Sequence, residues 1–431
     1  MKKEVLVEWN PWWDEKKGFN LLDRELESDV VEWIKRKEIV GVLGVRRSGK
    51  TSLLYLLIEH LLKTVNPKNI FFIKCDDDRV EKKEIISKSI DLYKELVNPR
   101  GRVFVFVDEV QEEPGWESTL KRIYDLEKNV KFFISGSNFS MLKEDFTYKL
   151  SGRFAYFDLY PFSFKELIGI DTNVKNSVSL LSKKQEVKHK FLEYLEFGGF
   201  PEVVLEKDKK KKAQLLRFYY DTIIYRDIIK RRGIRNAAKM ERMINFFLQN
   251  VSNPANFSKI GRQVGLSTDS VGEYVRYLQD AFFIFSVPLF SFSVKRQEIN
   301  PKKIYCVDTG IRNIKGFRFS QDYGRLVENI VFVEIKRRYS SNPLCELFYW
   351  QEKKYEVDFV VKVGLKIKEL IQVCWDLEEA KEREVKSLVA AMKKFKLSKG
   401  LIITESSEYE ELIEGKKIKF IPLWKWLLDV A

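Results

Sequence analysis

Residues 38–61 read EIVGVLGVRRSGKTSLLYLLIEHL. The apolar run EIVGVL stops at Gly44, and Leu53, Leu54, Leu57, Ile58 and Leu61 then recur with helical period. A strand, a loop and a helix are predicted in that order. The loop, Gly44-Val45-Arg46-Arg47-Ser48-Gly49-Lys50-Thr51, has the spacing G-x-x-x-x-G-K-[ST]. Its glycines let backbone N–H groups wrap a phosphate at a helix N-terminus, where the dipole favours anions. Gly44, Ser48, Gly49, Lys50, Thr51 and Ser52 are therefore the nucleotide-binding candidates. Lys50 is expected to neutralise the β- and γ-phosphates of ATP. The Thr51 hydroxyl is expected on Mg²⁺, an ion that keeps several waters and takes few protein ligands.

Outward from this loop, IFFIK (70–74), VFVFV (103–107) and KFFIS (131–135) alternate with charged helical stretches. Continuous apolar strands of this kind belong to a parallel α/β sheet covered on both faces. VFVFV ends in Asp108-Glu109, which puts two carboxylates at the C-terminal edge of the sheet, beside Lys50 if the strands are neighbours. Asp108 suits the Mg²⁺ shell, and Glu109 suits polarisation of the attacking water. The run ending in Ser135-Gly136-Ser137-Asn138 offers Asn138 or Ser137 as a γ-phosphate sensor. Arg153, in LSGRF, is either a finger reaching a γ-phosphate, in cis or across a subunit boundary of a homo-oligomer, or a structural ion pair. For Arg46 and Arg47 a structural role is expected.

The chain has 431 residues, enough for about three domains at roughly 150 residues each. Its four cysteines form no C-x-x-C pair and it has two histidines, so a disulfide framework, a zinc ribbon and a histidine metal site are not supported. No apolar run approaches ~18 residues, and a cytoplasmic protein without a membrane partner is expected. Abundant Lys and Glu with few His and Cys have a thermophile's character. The net charge is +14, and residues 206–242 alone hold 13 Lys and Arg against 5 Asp and Glu, a net +8. The positive field is thus local and makes a polyanion such as DNA a plausible partner, although a solvated face on a Lys/Glu-rich protein would look the same. The pattern divides into an α/β part at 1–165, a helical lid at 166–236, three helices and a hairpin in winged-helix order at 237–315, and a second α/β part at 316–431.

GVRRSGKTSL, VFVDEVQ, ISGSN, LSGRF with YPFSFKEL, FGGFPEVV, YRDII and KIYCVDTG occur in this order along most of the chain. In these motifs the sequence resembles the archaeal and bacterial AAA-like P-loop ATPases sometimes called DEXX-box ATPases. The resemblance implies a P-loop NTPase (AAA-like) sheet, a helical lid, a winged helix, and a C-terminal domain similar to the PD-(D/E)XK, restriction-endonuclease-like fold. In that C-terminal domain, Glu328, Asp358 and Gln372 would be the possible degenerate nuclease site and could hold a divalent ion. The lysine expected two residues beyond Gln372 is Cys374 instead, with Lys366 and Lys368 nearby in sequence. An inactive module that binds nucleic acid or a partner is therefore favoured.

The third helix of the winged-helix segment presents Asp269 and Glu273 where a base-reading helix carries Arg, Lys, Asn or Gln, so sequence-specific DNA reading has little support. Lys295, Arg296, Lys302 and Lys303 in the hairpin are expected to contact phosphates. Three functions follow: an Mg²⁺-dependent ATPase coupled to non-sequence-specific or structure-specific DNA binding or remodelling, an ATP-dependent switch acting on a protein partner, and an ATP-gated nuclease.

Overall fold

The computed structural model describes residues 2–14, 18–137, 150–171, 182–315 and 323–429. The chain forms two compact units, Met1–Tyr160 with Asp280–Phe282, and Pro161–Gln279 with Phe283–Ala431. Among the described residues no helix is long and apolar enough to cross a membrane.

In the first unit, β1 (Ile39–Leu43), β2 (Ile70–Lys74), β3 (Val103–Asp108), β4 (Val130–Gly136) and β5 (Phe154–Asp158) pair in parallel, in the order β2-β3-β4-β1-β5. Helices Lys50–Leu62, Ile85–Val97 and Trp116–Leu126 connect β1 to β2, β2 to β3 and β3 to β4. This is the parallel α/β sheet expected from the apolar runs, and β1, β3 and β4 are buried along their whole length. β5 was not among those runs. It is an edge strand in which Phe157 alone is fully buried, so FAYFD lacks the continuous apolar pattern of a central strand. β4 separates β1 from β3, so the phosphate loop and Asp108-Glu109 do not lie on neighbouring strands.

The second unit opens with helices Phe164–Asp171, Lys184–Phe197, Pro201–Leu205 and Lys209–Asp221, the last continuing with π-helical hydrogen bonds over Thr222–Lys230. Helices Ala237–Gln249, Phe257–Val264 and Thr268–Asp280 then accompany a small antiparallel sheet, β6 (Pro254–Ala255), β7 (Ile284–Val287) and β8 (Lys302–Cys306), in the order β6-β8-β7. A short helix, Val294–Ile299, interrupts the connection from β7 to β8. Helix Tyr323–Arg338 leads into a separate mixed sheet of β9 (Cys345–Glu352), β10 (Tyr355–Val363), β11 (Lys366–Val373), β12 (Lys399–Thr404), β13 (Tyr409–Ile413) and β14 (Lys416–Pro422), ordered β13-β14-β12-β11-β10-β9. Helix Leu377–Lys394 buries Val385, Leu388, Val389 and Met392 in a core shared with Val357, Val360, Leu370, Ile402 and Phe420 of this sheet. β13, β14 and helix Leu423–Leu427 complete this second α/β part after β12.

Three of the quoted motifs meet inside this unit. Phe162 N donates to Gly199 O at 2.7 Å, Gly199 N to Asp308 Oδ2 at 2.7 Å, and the Thr309 hydroxyl to Tyr194 O at 3.1 Å. A Cβ on Gly199 would lie 2.3 Å from the carbonyl oxygen of Phe162. Burial pushes the Asp308 carboxyl up to about 6, against the opposing pull of the Gly199, Ile311 and Gly310 N–H groups. YPFSFKEL, FGGFPEVV and KIYCVDTG therefore form one backbone joint. Gly199→Ala is expected to destabilise the protein by about 1–3 kcal/mol through overpacking, measured by denaturant or thermal unfolding. Gly272→Ala is the control, because a Cβ there meets no atom within 4 Å. On helix Thr268–Asp280 that substitution is expected to stabilise by about 0.5–1 kcal/mol.

Candidate functional site

The phosphate loop leaves β1 at Gly44 and returns into helix Lys50–Leu62 through two left-handed residues, Arg47 (φ 71°) and Gly49 (φ 97°). Gly44 is required by close approach, since a Cβ there would lie 2.2 Å from the carbonyl oxygen of Leu159. Arg24, which no sequence pattern marked, fastens the loop by donating to Ser48 O at 2.8 Å and Tyr160 O at 2.7 Å.

Lys50 Nζ is folded back into the loop, donating to Gly44 O at 3.2 Å and Val45 O at 3.3 Å, and lies 3.6 Å from Glu109 Oε1. The Thr51 hydroxyl donates to Asp108 Oδ2 at 2.8 Å. The first turn of the helix thus reaches Asp108 although β4 stands between the two strands. β4 contributes Ser135, whose hydroxyl donates to Asp108 Oδ1 and accepts from Glu109 N at 2.9 Å. That bond holds Glu109 in a left-handed conformation (φ 49°), which for a residue with a Cβ costs about 1–3 kcal/mol. Glu109 Oε2 accepts from the Ser137 hydroxyl at 3.1 Å and from Gln111 Nε2. Ser135 and Gln111 were not singled out in the sequence, and their signal is only their place at the end of β4 and in VFVDEVQ.

Electrostatics separates the two carboxyls. Burial, then the charge of Glu109, pushes Asp108 up to about 6. Burial also opposes the ionised form of Glu109, but Lys50 and then Arg46 outweigh it and hold Glu109 below its ordinary value. A hydroxyl and a carboxylate face each other at Thr51 and Asp108, a lysine lies within the loop, and the buried Ser48 hydroxyl has no hydrogen-bond partner among the described residues. This donor set fits a triphosphate with Mg²⁺. Ser52 follows Thr51 on the same helix and is half-buried. Asn138 lies outside the described residues.

Arg153 is not brought to this loop within the chain. Its carbonyl accepts from Ile39 N at the start of β1, whereas the phosphate loop leaves the other end of that strand. Its guanidinium pairs with Asp125, Nε to Oδ1, at 2.9 Å. A finger acting in cis is thereby overturned, because a parallel strand carries its first residue to the opposite edge of the sheet.

In the second unit Glu328 and Asp358 do come together, but around a lysine. Lys303 Nζ lies 3.0 Å from Glu328 Oε1, 2.9 Å from Asp358 Oδ1 and 2.8 Å from Glu356 Oε1. Lys303 is thus buried in an ion cluster, which corrects its expected role as a phosphate contact. Gln372 is engaged elsewhere: Oε1 accepts from Asp358 N at 3.2 Å, and Nε2 donates to Glu384 Oε2 at 2.6 Å. Lys366 and Lys368 are exposed. With Lys303 between Glu328 and Asp358, and both ends of the Gln372 amide taken by Asp358 N and Glu384, the expected Glu328, Asp358 and Gln372 metal set does not fit.

A family model described as an AAA domain matches residues 36–168, and two described as domains of unknown function (DUF8612 and DUF4143) match residues 188–320 and 323–426. An uncharacterized protein of Methanocaldococcus jannaschii, MJ1544, is 33% identical over 430 residues, covering 96% of this chain and 92% of that protein. An uncharacterized protein of Haemophilus influenzae is 27% identical over 417 residues, covering 95% and 99% respectively. Among solved structures, a DNA polymerase III gamma subunit-related protein of Thermotoga maritima aligns with a TM-score of 0.29 at 10% identity, over 60% of this chain and 97% of that one. The chain belongs to the family of the M. jannaschii protein and carries an AAA-like P-loop ATPase domain ahead of its two further domains.

Proposed function

We propose that the protein is an Mg²⁺-dependent ATPase that couples ATP binding and hydrolysis to binding or remodelling of DNA. The observation that carries the ATPase half is the Lys50, Thr51, Asp108 and Glu109 constellation. Lys50 would bind the β- and γ-phosphates, and Thr51 and Asp108 would hold Mg²⁺, whose charge offsets that of the transferring phosphoryl group. Glu109, kept ionised by Lys50 and Arg46, would orient and polarise the attacking water. Ser137 would hold the Glu109 carboxylate in place.

The DNA half is supported by the helix Lys209–Asp221 and its π-helical continuation. Lys210, Lys211, Arg217, Arg226 and Lys230 are exposed there, and Phe218 and Tyr225 are 56% and 43% exposed among them. Cations interleaved with aromatic faces suit a backbone with unstacked bases better than they suit base-edge reading. A second reading, the switch acting on a protein partner, is favoured by the open groove on helix Thr268–Asp280, lined by Asp269, Ser270, Gly272, Glu273 and Arg276. Two carboxylates on that face repel a phosphate backbone.

Lys50→Ala is expected to abolish nucleotide binding. Glu109→Gln is expected to retain binding and lower turnover by about 10²–10⁴-fold, as separate binding and steady-state assays would register. Because the buried Asp108 carboxyl takes up its proton near pH 6, Mg²⁺ must displace that proton at lower pH. Mg²⁺-ATP affinity is therefore expected to fall as pH drops through about 6, with proton release visible by calorimetry in buffers of differing ionisation heat. The coupling test is ATP turnover with single-stranded, duplex and branched DNA at two salt concentrations. Stimulation that salt abolishes, and that Phe218→Ala weakens by about 1–3 kcal/mol in DNA affinity, is expected. Lys50-dependent turnover indifferent to every DNA form would replace this reading with the switch.

A further inference from the structure

Lys303 lies on β8, two residues before Tyr305, so the two side chains share one face of the strand. That face is turned into the C-terminal domain. The Tyr305 hydroxyl donates to Glu328 Oε1 at 2.7 Å, and Lys303 reaches the same oxygen from the side. Three carboxylates from two elements, Glu328 on helix Tyr323–Arg338 and Glu356 and Asp358 on β10, converge on a single ammonium, which has three protons to give. The Lys303 side chain is 2% exposed, and Asp358 keeps its second oxygen occupied by Val373 N at 3.0 Å.

We propose that Lys303 is the resident cation of the C-terminal domain, filling the position that a divalent ion would take among Glu328, Glu356 and Asp358, and thereby latching β8 onto that domain. A divalent ion bound by these carboxylates would sit about 2.0–2.6 Å from their oxygens, inside the space held by the ammonium, and would be repelled by it. The lysine missing after Gln372 is thus supplied from a different strand, but as a plug at the centre of the carboxylates. A phosphate backbone has no approach to a buried group surrounded by acids. The wing-like strand and the nuclease-like domain behave as one body in this proposal, and it stands apart from the reading of the ATP site.

The test uses the full-length, nucleotide-free protein and Mn²⁺ as the probe, followed by paramagnetic resonance and by thermal unfolding. Wild-type protein is expected to show a Mn²⁺ isotherm that Asp358→Asn leaves unchanged. Lys303→Met is expected to gain one additional bound ion and a Mn²⁺-dependent rise in melting temperature, and the Lys303→Met, Asp358→Asn double variant to lose both. Wild-type Mn²⁺ binding that Asp358→Asn removes would overturn the proposal. So would Mn²⁺-dependent DNA cleavage abolished by Lys303→Met, or a folded Lys303→Met that gains no ion. Should Lys303→Met fail to fold, the neutralised triple variant with Glu328→Gln and Asp358→Asn is expected to recover folding. A triple variant that stays unfolded would mean that Lys303 acts by packing, and the latch would be wrong.

Discussion

Asp108 and Glu109 put two carboxyl groups side by side at the end of a strand buried on both faces, and like charges in such a place cannot both ionise freely. The surrounding residues resolve this by giving the pair unequal company. Glu109 receives the two cations of the phosphate loop, Lys50 and Arg46. Asp108 receives two hydroxyl donors, from Thr51 and Ser135, and remains the group that protonates first. The cost of holding Glu109 in a left-handed turn belongs to the same arrangement. It swings that carboxylate toward Lys50 while Asp108, one residue earlier, stays with the helix that begins at the loop.

A buried charge in the second unit meets the same requirement with different materials. Asp308 is stabilised by backbone N–H groups of a turn and of a glycine pair, so its needs are met by main chain and fix the path of three segments. Glu328, Glu356 and Asp358 share one cation, Lys303, with further donors from the Tyr305 hydroxyl and Val373 N, and burial with the neighbouring Asp358 charge still pushes Glu328 up to about 8. Ion clusters of this kind add little net stability against an apolar equivalent, but losing one member leaves charge unpaired in a medium that cannot solvate it.

This difference explains what was legible in the sequence. The phosphate loop, the strands β1 to β4 and the acidic pair rest on local spacing, and local spacing survives in one dimension. Arg153 reads from chain order as either a phosphate finger or a structural ion pair; sheet direction carries it to the far edge, where it pairs with Asp125, and chain order holds no information about that. Lys303 was read as one of two adjacent lysines in KKIYC. Strand alternation does send Lys302 and Lys303 to opposite faces, but which face is buried depends on a domain that begins some 20 residues later. Glu356, Arg24 and Ser135 were invisible for the same reason: each acts only through a residue distant in sequence.

The fate of the lysines also changes how the charge count should be weighed. The net +8 of residues 206–242 includes Lys212, which is buried against Glu193 at 2.8 Å, and Lys239, whose ammonium is tied to Gly265 O at 2.6 Å. Lys212 therefore contributes little to a field outside the fold, whereas Lys239, bonded to a neutral carbonyl, keeps its full charge there. Among the exposed cations that remain, Lys209, Lys210, Lys211, Arg217, Arg226 and Lys230 lie along Lys209–Asp221 and Thr222–Lys230, beside the exposed rings of Phe218 and Tyr225. Under the proposed DNA reading, cations beside stacking faces would favour a flexible, partly unpaired strand over a long duplex, because stacking contributes where bases are free and a duplex offers only phosphates to the same residues.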